Sequence, residues 1–157
     1  MSRSKIDSPV SPSLIGFLVL TLGGGLVLGY LTAPGPWYQQ LAKPPFNPPD
    51  WLFAPVWTVL YVLIAIAGWR VYRREPDGAA MKLWWLQLAL NFGWTPVFFG
   101  LNRLEFALLV ILLLVAAIVS FIISTWRPDR TAAWLFVPYL AWVAFATLLN
   151  AALWLLN

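Results

Sequence analysis

Trp57 and Tyr61 stand one helical turn apart. Gln87, Asn91, Trp94 and Phe98 follow the i, i+4, i+7, i+11 spacing of a single helix face, and Pro138, Trp142, Ala146 and Leu149 or Asn150 form a third stripe. Each stripe lies in a stretch without charge, so these groups offer ring faces, amides, and indole or phenol donors instead of acids and bases. An amide in hydrocarbon is costly unless it is paired, which predicts that Gln87, Asn91 and Asn150 point inward. Aromatic walls with a few fixed polar groups suit a flat apolar ligand, and interhelical hydrogen bonding and core packing are the plainer use of the same residues.

The missing residue types exclude other chemistries. With no cysteine and no histidine, the chain has no disulfide framework, no thiolate nucleophile, no Cys- or His-bound metal and no usual haem axial ligand. A Ser-His-Asp site is excluded with them. No Asp, Glu, Lys or Arg lies deep within an apolar run, which disfavours a proton- or ion-coupled carrier. The net charge of +4 lies in the connections and forms no stripe. It reads as membrane-surface charge, not as a footprint for nucleic acid.

The elements that must position these groups are apolar runs. Apolar residues make up 61% of the 157 and charged residues 10%, against roughly 45–50% and 25% in soluble domains. The uncharged runs predict an all-α membrane protein of one domain over 1–157, with five transmembrane helices near 13–33, 51–70, 82–101, 104–126 and 131–156. The first run reads as a span and not a cleaved leader, because TAPGPWY follows it without a small-x-small site. The first ten or so residues are expected to be disordered. Short polar connections make neighbouring helices antiparallel, and Asn102–Glu105 predicts a tight reversal. Thr21, Gly25, Gly29 and Ala33 form a small-residue ridge for packing within the bundle or across a homodimer. Pro96 and Pro138 fall inside helices and are expected to bend them.

Between the first two helices lies WYQQLAKPPFNPPDWLFAPVW (37–57), too rich in proline for a helix and too aromatic for a flexible linker. At about 17 residues it is long for a bundle connection. Prolines 44, 45, 48 and 49 lower the entropy lost on ordering. Trp37, Tyr38, Phe46 and Trp51 supply apolar surface. The expectation is a lid folded over one end of the bundle, the alternative an aromatic anchor at headgroup depth. Arg3, Lys5, Arg70, Arg73, Arg74, Lys82, Arg127 and Arg130 fall on the side of the N-terminus, and only Lys43 and Arg103 on the other. The positive-inside rule then places the N-terminus in the cytoplasm.

The segments WYQQLAKPPFNPPDWLFAPVWTVLY (37–61), QLALNFGWTPVFFGLNR (87–103) and AWLFVPYLAWVAFATLLN (133–150) resemble the TspO/MBR family, the tryptophan-rich sensory proteins and relatives of the mitochondrial translocator protein. The resemblance runs through nearly the whole chain, in order. It implies a five-helix bundle, commonly dimeric, with a pocket under the first loop. The ligands it implies are porphyrins such as protoporphyrin IX, haem, sterols and synthetic isoquinolines or benzodiazepines. Trp57 and Trp142 fall on the two pocket tryptophans linked to porphyrin binding and to light-driven porphyrin breakdown, where they would be the catalytic groups. Tyr38, Tyr61, Asn91 and Ala146 fall on other pocket positions. With the readings above, the expected ligand-binding set is Trp37, Tyr38, Phe46, Trp57, Tyr61, Gln87, Asn91, Trp94, Phe98, Trp142, Ala146 and Leu149, with no metal and no resident cofactor. The sterol motif of animal members is absent after Asn150, where the chain reads AALWLLN. The resemblance therefore points to a bacterial, porphyrin-type member in a cell membrane, with porphyrin or haem, lipids and a second copy as partners. It acts as a receptor in tetrapyrrole regulation or stress, or else as a photodegrading enzyme or a passive transporter. The family is usually drawn with the first loop and C-terminus in the cytosol, opposite to the charge count.

Overall fold

The computed structural model of the protein describes residues 11–157. The expectation of disorder for the first ten residues lies outside them, as do Arg3 and Lys5. The regular elements of the described residues are all helices, without strands. Helix α1 is Pro12–Leu31, opening on a proline whose missing N–H is harmless in a first turn. Helix α2 is the short Pro36–Gln40. Helix α3 is Asp50–Arg74. Helix α4 is Ala79–Thr95 and continues as a wider π turn over Pro96–Gly100. Helix α5 is Leu104–Thr125 and helix α6 is Arg130–Leu156.

One sequence expectation needs correction, and a second is not confirmed. The 37–57 stretch is not free of helix. Pro36 sits in a first turn and starts α2, which carries Trp37 and Tyr38, while Asp50–Leu52 opens α3. Nor is the count of five membrane-crossing helices confirmed. Helices α1, α3, α5 and α6 are long and apolar enough to cross a membrane, and α4 is not among them. Its shortfall is chemical. With Gly100 it is long enough by count, roughly 30 Å, but Lys82, Gln87, Asn91 and its tryptophans dilute its apolarity. The helix ends also shift: α3 runs on to Arg74 and α4 begins at Ala79.

Among the described residues the long helices form a ring in the order α1, α3, α6, α5, α4, with α4 closing against α1 and α3. The core runs down its middle through Ile64, Trp84, Ile118, Phe121, Phe136 and Tyr139, all fully buried. Phe121 and Phe136 stack with centroids 4.0 Å apart. The Trp84 indole N–H donates to the Ile64 carbonyl at 2.9 Å. Gly68 makes room for that indole, since a Cβ there would overlap it.

The first half of the small-residue ridge of α1, Thr21 and Gly25, packs inside the bundle, while Gly29 and Ala33 are exposed. A Cβ at Gly25 would overlap the Tyr61 ring, and Thr21 donates its hydroxyl to the Tyr61 carbonyl at 2.9 Å. Gly29, one turn on, has nothing within 4 Å. Pro96 coincides with the π turn, where the Leu101 N–H reaches back to the Pro96 carbonyl at 2.9 Å. Pro138 stays inside α6 and is exposed, so it does not share the buried side of its stripe. At the α4–α5 reversal Asn102 takes a φ of 54°, a left-handed conformation that asparagine tolerates better than most residues.

Candidate ligand-binding site

The inward-facing amides form a hydrogen-bonded chain. Gln87 and Asn91 share a face of α4, and both are buried. The Tyr61 hydroxyl donates to Asn91 Oδ1 at 2.8 Å, Asn91 Nδ2 donates to the Tyr139 hydroxyl at 2.7 Å, and that hydroxyl donates to Gln87 Oε1 at 2.8 Å. The chain ties α3, α4 and α6 together at one depth. It ends at Gln87 Nε2, which is buried without a partner.

Trp57 lies one turn from Tyr61, with ring centroids 5.5 Å apart, and meets the Tyr139 ring edge-on at 6.4 Å. Trp142 packs against Phe53 at 5.8 Å and Phe145 at 5.6 Å. Its indole Nε1 is buried and has no hydrogen-bond partner. Phe46 of the proline-rich loop lies over Phe145 at 6.2 Å and is half exposed. Ala146 packs partly buried at the edge of the same core.

Nearer the end of the bundle a second group gathers. Tyr38, Phe98, Leu149, Leu104 and Leu153 are buried together, with Trp37 and Trp94 against them. Trp37 and Phe98 are 6.0 Å apart, and Trp94 and Phe98 4.9 Å. The Trp94 N–H donates to Asn150 Oδ1 at 3.1 Å, and Asn150 Nδ2 donates to the Leu104 carbonyl at 3.0 Å. Trp94 also packs on the first core, so it joins the two groups.

The loop lies across this end. Asn157 clamps Ala42 through two 3.0 Å bonds, accepting from its N–H and donating to its carbonyl. The Lys43 ammonium donates to the Tyr38 carbonyl at 2.9 Å and sits 4.7 Å over the Tyr38 ring. Two concavities of about 400 and 410 Å³ lie at the opposite end of α3 and α6, near Arg70 and Arg127.

The profile of the TspO/MBR family matches residues 17–155. The chain belongs to the TspO/MBR family. Among similar proteins are the Protein CrtK of Rhodobacter capsulatus, 39% identical over 133 residues (82% of this chain and 83% of that one), and the Tryptophan-rich sensory protein of Cereibacter sphaeroides, 41% identical over 128 residues (82% and 81%). The Translocator protein of Bos taurus is 37% identical over 148 residues (89% and 87%). With four span-capable helices, this TspO/MBR protein is an integral membrane protein.

The structure thus places the twelve expected residues in two joined groups. Trp57, Tyr61, Gln87, Asn91, Trp142 and Ala146, with Phe46 at the rim, belong to the first. Trp37, Tyr38, Trp94, Phe98 and Leu149 belong to the second. The residue-level reading omitted Tyr139, Phe53 and Phe145. Tyr139 had a signal: a phenol in an apolar helix, three residues before Trp142, needs a buried partner. Phe53 and Phe145 had none, because a phenylalanine in a membrane helix is ordinary.

Proposed function

We propose that this chain is a membrane receptor for tetrapyrroles and related flat hydrophobic ligands, acting in tetrapyrrole regulation or stress response in a bacterial cell membrane. The observation that carries the reading is the buried, partnerless indole N–H of Trp142. A buried donor without an acceptor costs about 1–3 kcal/mol, and a ligand carboxylate, carbonyl or ring nitrogen removes that cost. Phe53 and Phe145 pack on the Trp142 ring, and Trp57, against Tyr139 in the same core, adds a further ring face. The ligand enters by lifting Phe46 and the loop, which hold the rings covered.

Recognition of the ring, not of a metal, follows from the donor set. Among the described residues no group of three or more His, Cys, Asp or Glu that could hold a metal occurs, and the Tyr61 and Tyr139 hydroxyls are engaged with Asn91 and Gln87. The test is quenching of tryptophan fluorescence by protoporphyrin IX. Trp57→Ala and Trp142→Ala are each expected to weaken binding by about tenfold, the loss of one stacking contact or buried donor. Unchanged affinity in the double variant rejects the site.

A catalytic reading, porphyrin photodegradation, draws on one observation: the Trp57 ring contacts two phenols, Tyr61 and Tyr139. An excited porphyrin that takes an electron from Trp57 leaves an indole radical cation, which is refilled when the electron returns from the ring–dioxygen adduct, so the protein ends unchanged. Refilling from Tyr61 or Tyr139 instead requires the phenol to shed its hydroxyl proton toward Asn91 or Gln87. Ring opening to a bilin-like product also consumes dioxygen from solution. Illumination of the purified complex should yield such a product, absent in the dark and in Trp57→Phe.

A further inference from the structure

The arginine end of the bundle carries a second site. Arg70, Arg73 and Arg74 follow i, i+3, i+4 spacing in the last turn of α3, so their cations crowd one face. With Trp69, Pro128 and Asp129 they line the concavity of about 410 Å³. Arg70 is neutralised, since its guanidinium grips Asp129 through Nε and Nη2 at 3.1 Å each. Among the described residues Arg73 and Arg74 have no acidic partner within 4 Å. Arg73 lies 5.0 Å over the Trp69 ring, and that indole is fixed by its N–H bond to Ser13 Oγ at 3.1 Å. The acids next in the chain are Glu75, whose carboxyl folds against Gly78, and exposed Asp77. The last-turn carbonyls of α3 repel an anion, so attraction must come from the arginine side chains themselves.

We propose that this cleft binds the phosphate of an anionic phospholipid headgroup. Phosphate matches paired guanidinium groups in charge and geometry. The setting selects a lipid over a soluble phosphate. The cleft opens at the end of α3, with Trp69 in its lining, Trp126 in the adjoining concavity and the Trp134 ring 5.7 Å from that of Trp126, and indoles favour the bilayer interface. Across Pro128 it adjoins the concavity of about 400 Å³ lined by Ile123, Trp126 and Arg127. Ile123 is 70% exposed, so a polar basin meets an apolar slot, as a headgroup with its acyl chain requires. The site is separate from the aromatic region at the other end of the bundle.

The test measures retention of phosphatidylglycerol against phosphatidylcholine by the full chain in mixed micelles. Wild type should prefer phosphatidylglycerol, and R73Q/R74Q should lose at least about tenfold of that preference. R73K/R74K, which keeps the charge but loses the paired fork, should lose part of it, and K82Q, which removes a cation from the same end outside the cleft, should keep it. Should R73Q/R74Q fail to fold, R74Q alone, at an exposed side chain, should lose about fivefold. Unchanged preference in the arginine variants overturns the proposal. So does an equal loss in K82Q, which would mean diffuse surface charge. Displacement of the lipid by millimolar inorganic phosphate overturns the lipid assignment in favour of a soluble ligand.

Discussion

Tyr61 does three jobs at once. Its ring fills the notch at Gly25, its carbonyl accepts from Thr21, and its hydroxyl opens the amide chain through Asn91. A methyl at Gly25 must push that ring away or break its bond to Asn91. Gly25→Ala is therefore expected to destabilise the bundle by about 1–3 kcal/mol. Gly29→Ala, in open space, should be neutral or stabilise by a few tenths to ~1 kcal/mol through helix propensity. Thermal unfolding of the pair in one detergent checks the difference, and equal shifts would show that the ridge does not pack on Tyr61. The two glycines look alike in the sequence, as members of one small-residue pattern. Only the position of Tyr61 on α3 separates them, which the local pattern cannot encode. The amides were legible for the opposite reason. Gln87, Asn91 and Asn150 in apolar runs admit one physical answer, burial with partners; all three are buried with their amide oxygens paired, and only Gln87 Nε2 lacks a partner.

Helix ends carry the next layer. Asp129 caps α6, accepting from the Ala132 N–H at 3.2 Å, and holds Arg70 of α3. Burial alone would raise the Asp129 carboxyl. The hydrogen bonds from Arg70 and Ala132 and the charges of Arg70 and Arg74 outweigh it and hold the group below the ordinary carboxylate range. Because the folded value is depressed, the stabilisation is fully present above the unfolded value near 4 and is lost as pH falls through the folded one. Asp129→Ala should cost about 1–2 kcal/mol at neutral pH, combining a lost cap with a solvent-screened ion pair. Its deficit should shrink in unfolding measurements below about pH 4, and a deficit that persists there would assign the loss to packing. The loop depends on a different end. Asn157→Ala removes both bonds to Ala42, so amide exchange across the loop around Ala42 should speed up, by about tenfold if the clamp is worth the usual ~1 kcal/mol or slightly more. Proline spacing correctly suggested an ordered loop but concealed the helical turn at Pro36–Gln40. A proline in a first turn does not break a helix, and five residues are too few for a periodic signal.

Over the whole molecule, charge and apolarity were readable from composition, but the standing of α4 was not. It packs against α5 and α1 like a crossing helix while lacking their apolarity, in part because Gln87, Asn91 and Trp94, which dilute it, also build the site. The chain has no native cysteine, so single cysteines introduced at Asp77 and Arg103 report on this directly. If α4 crosses, a membrane-impermeant thiol reagent should label the two from opposite faces of sealed vesicles. Labelling from one face would mean that α4 does not cross. The ring order carries a last consequence, for how the protein is made. α1 leaves the ribosome before α3, yet what grips it, the Tyr61 ring and carbonyl, lies on that later helix. During synthesis the first span must therefore wait beside the insertion machinery, unheld, until residues beyond Tyr61 have entered the bilayer. A nascent chain stalled before that point should leave its first helix open to crosslinking with lipid or with the translocon.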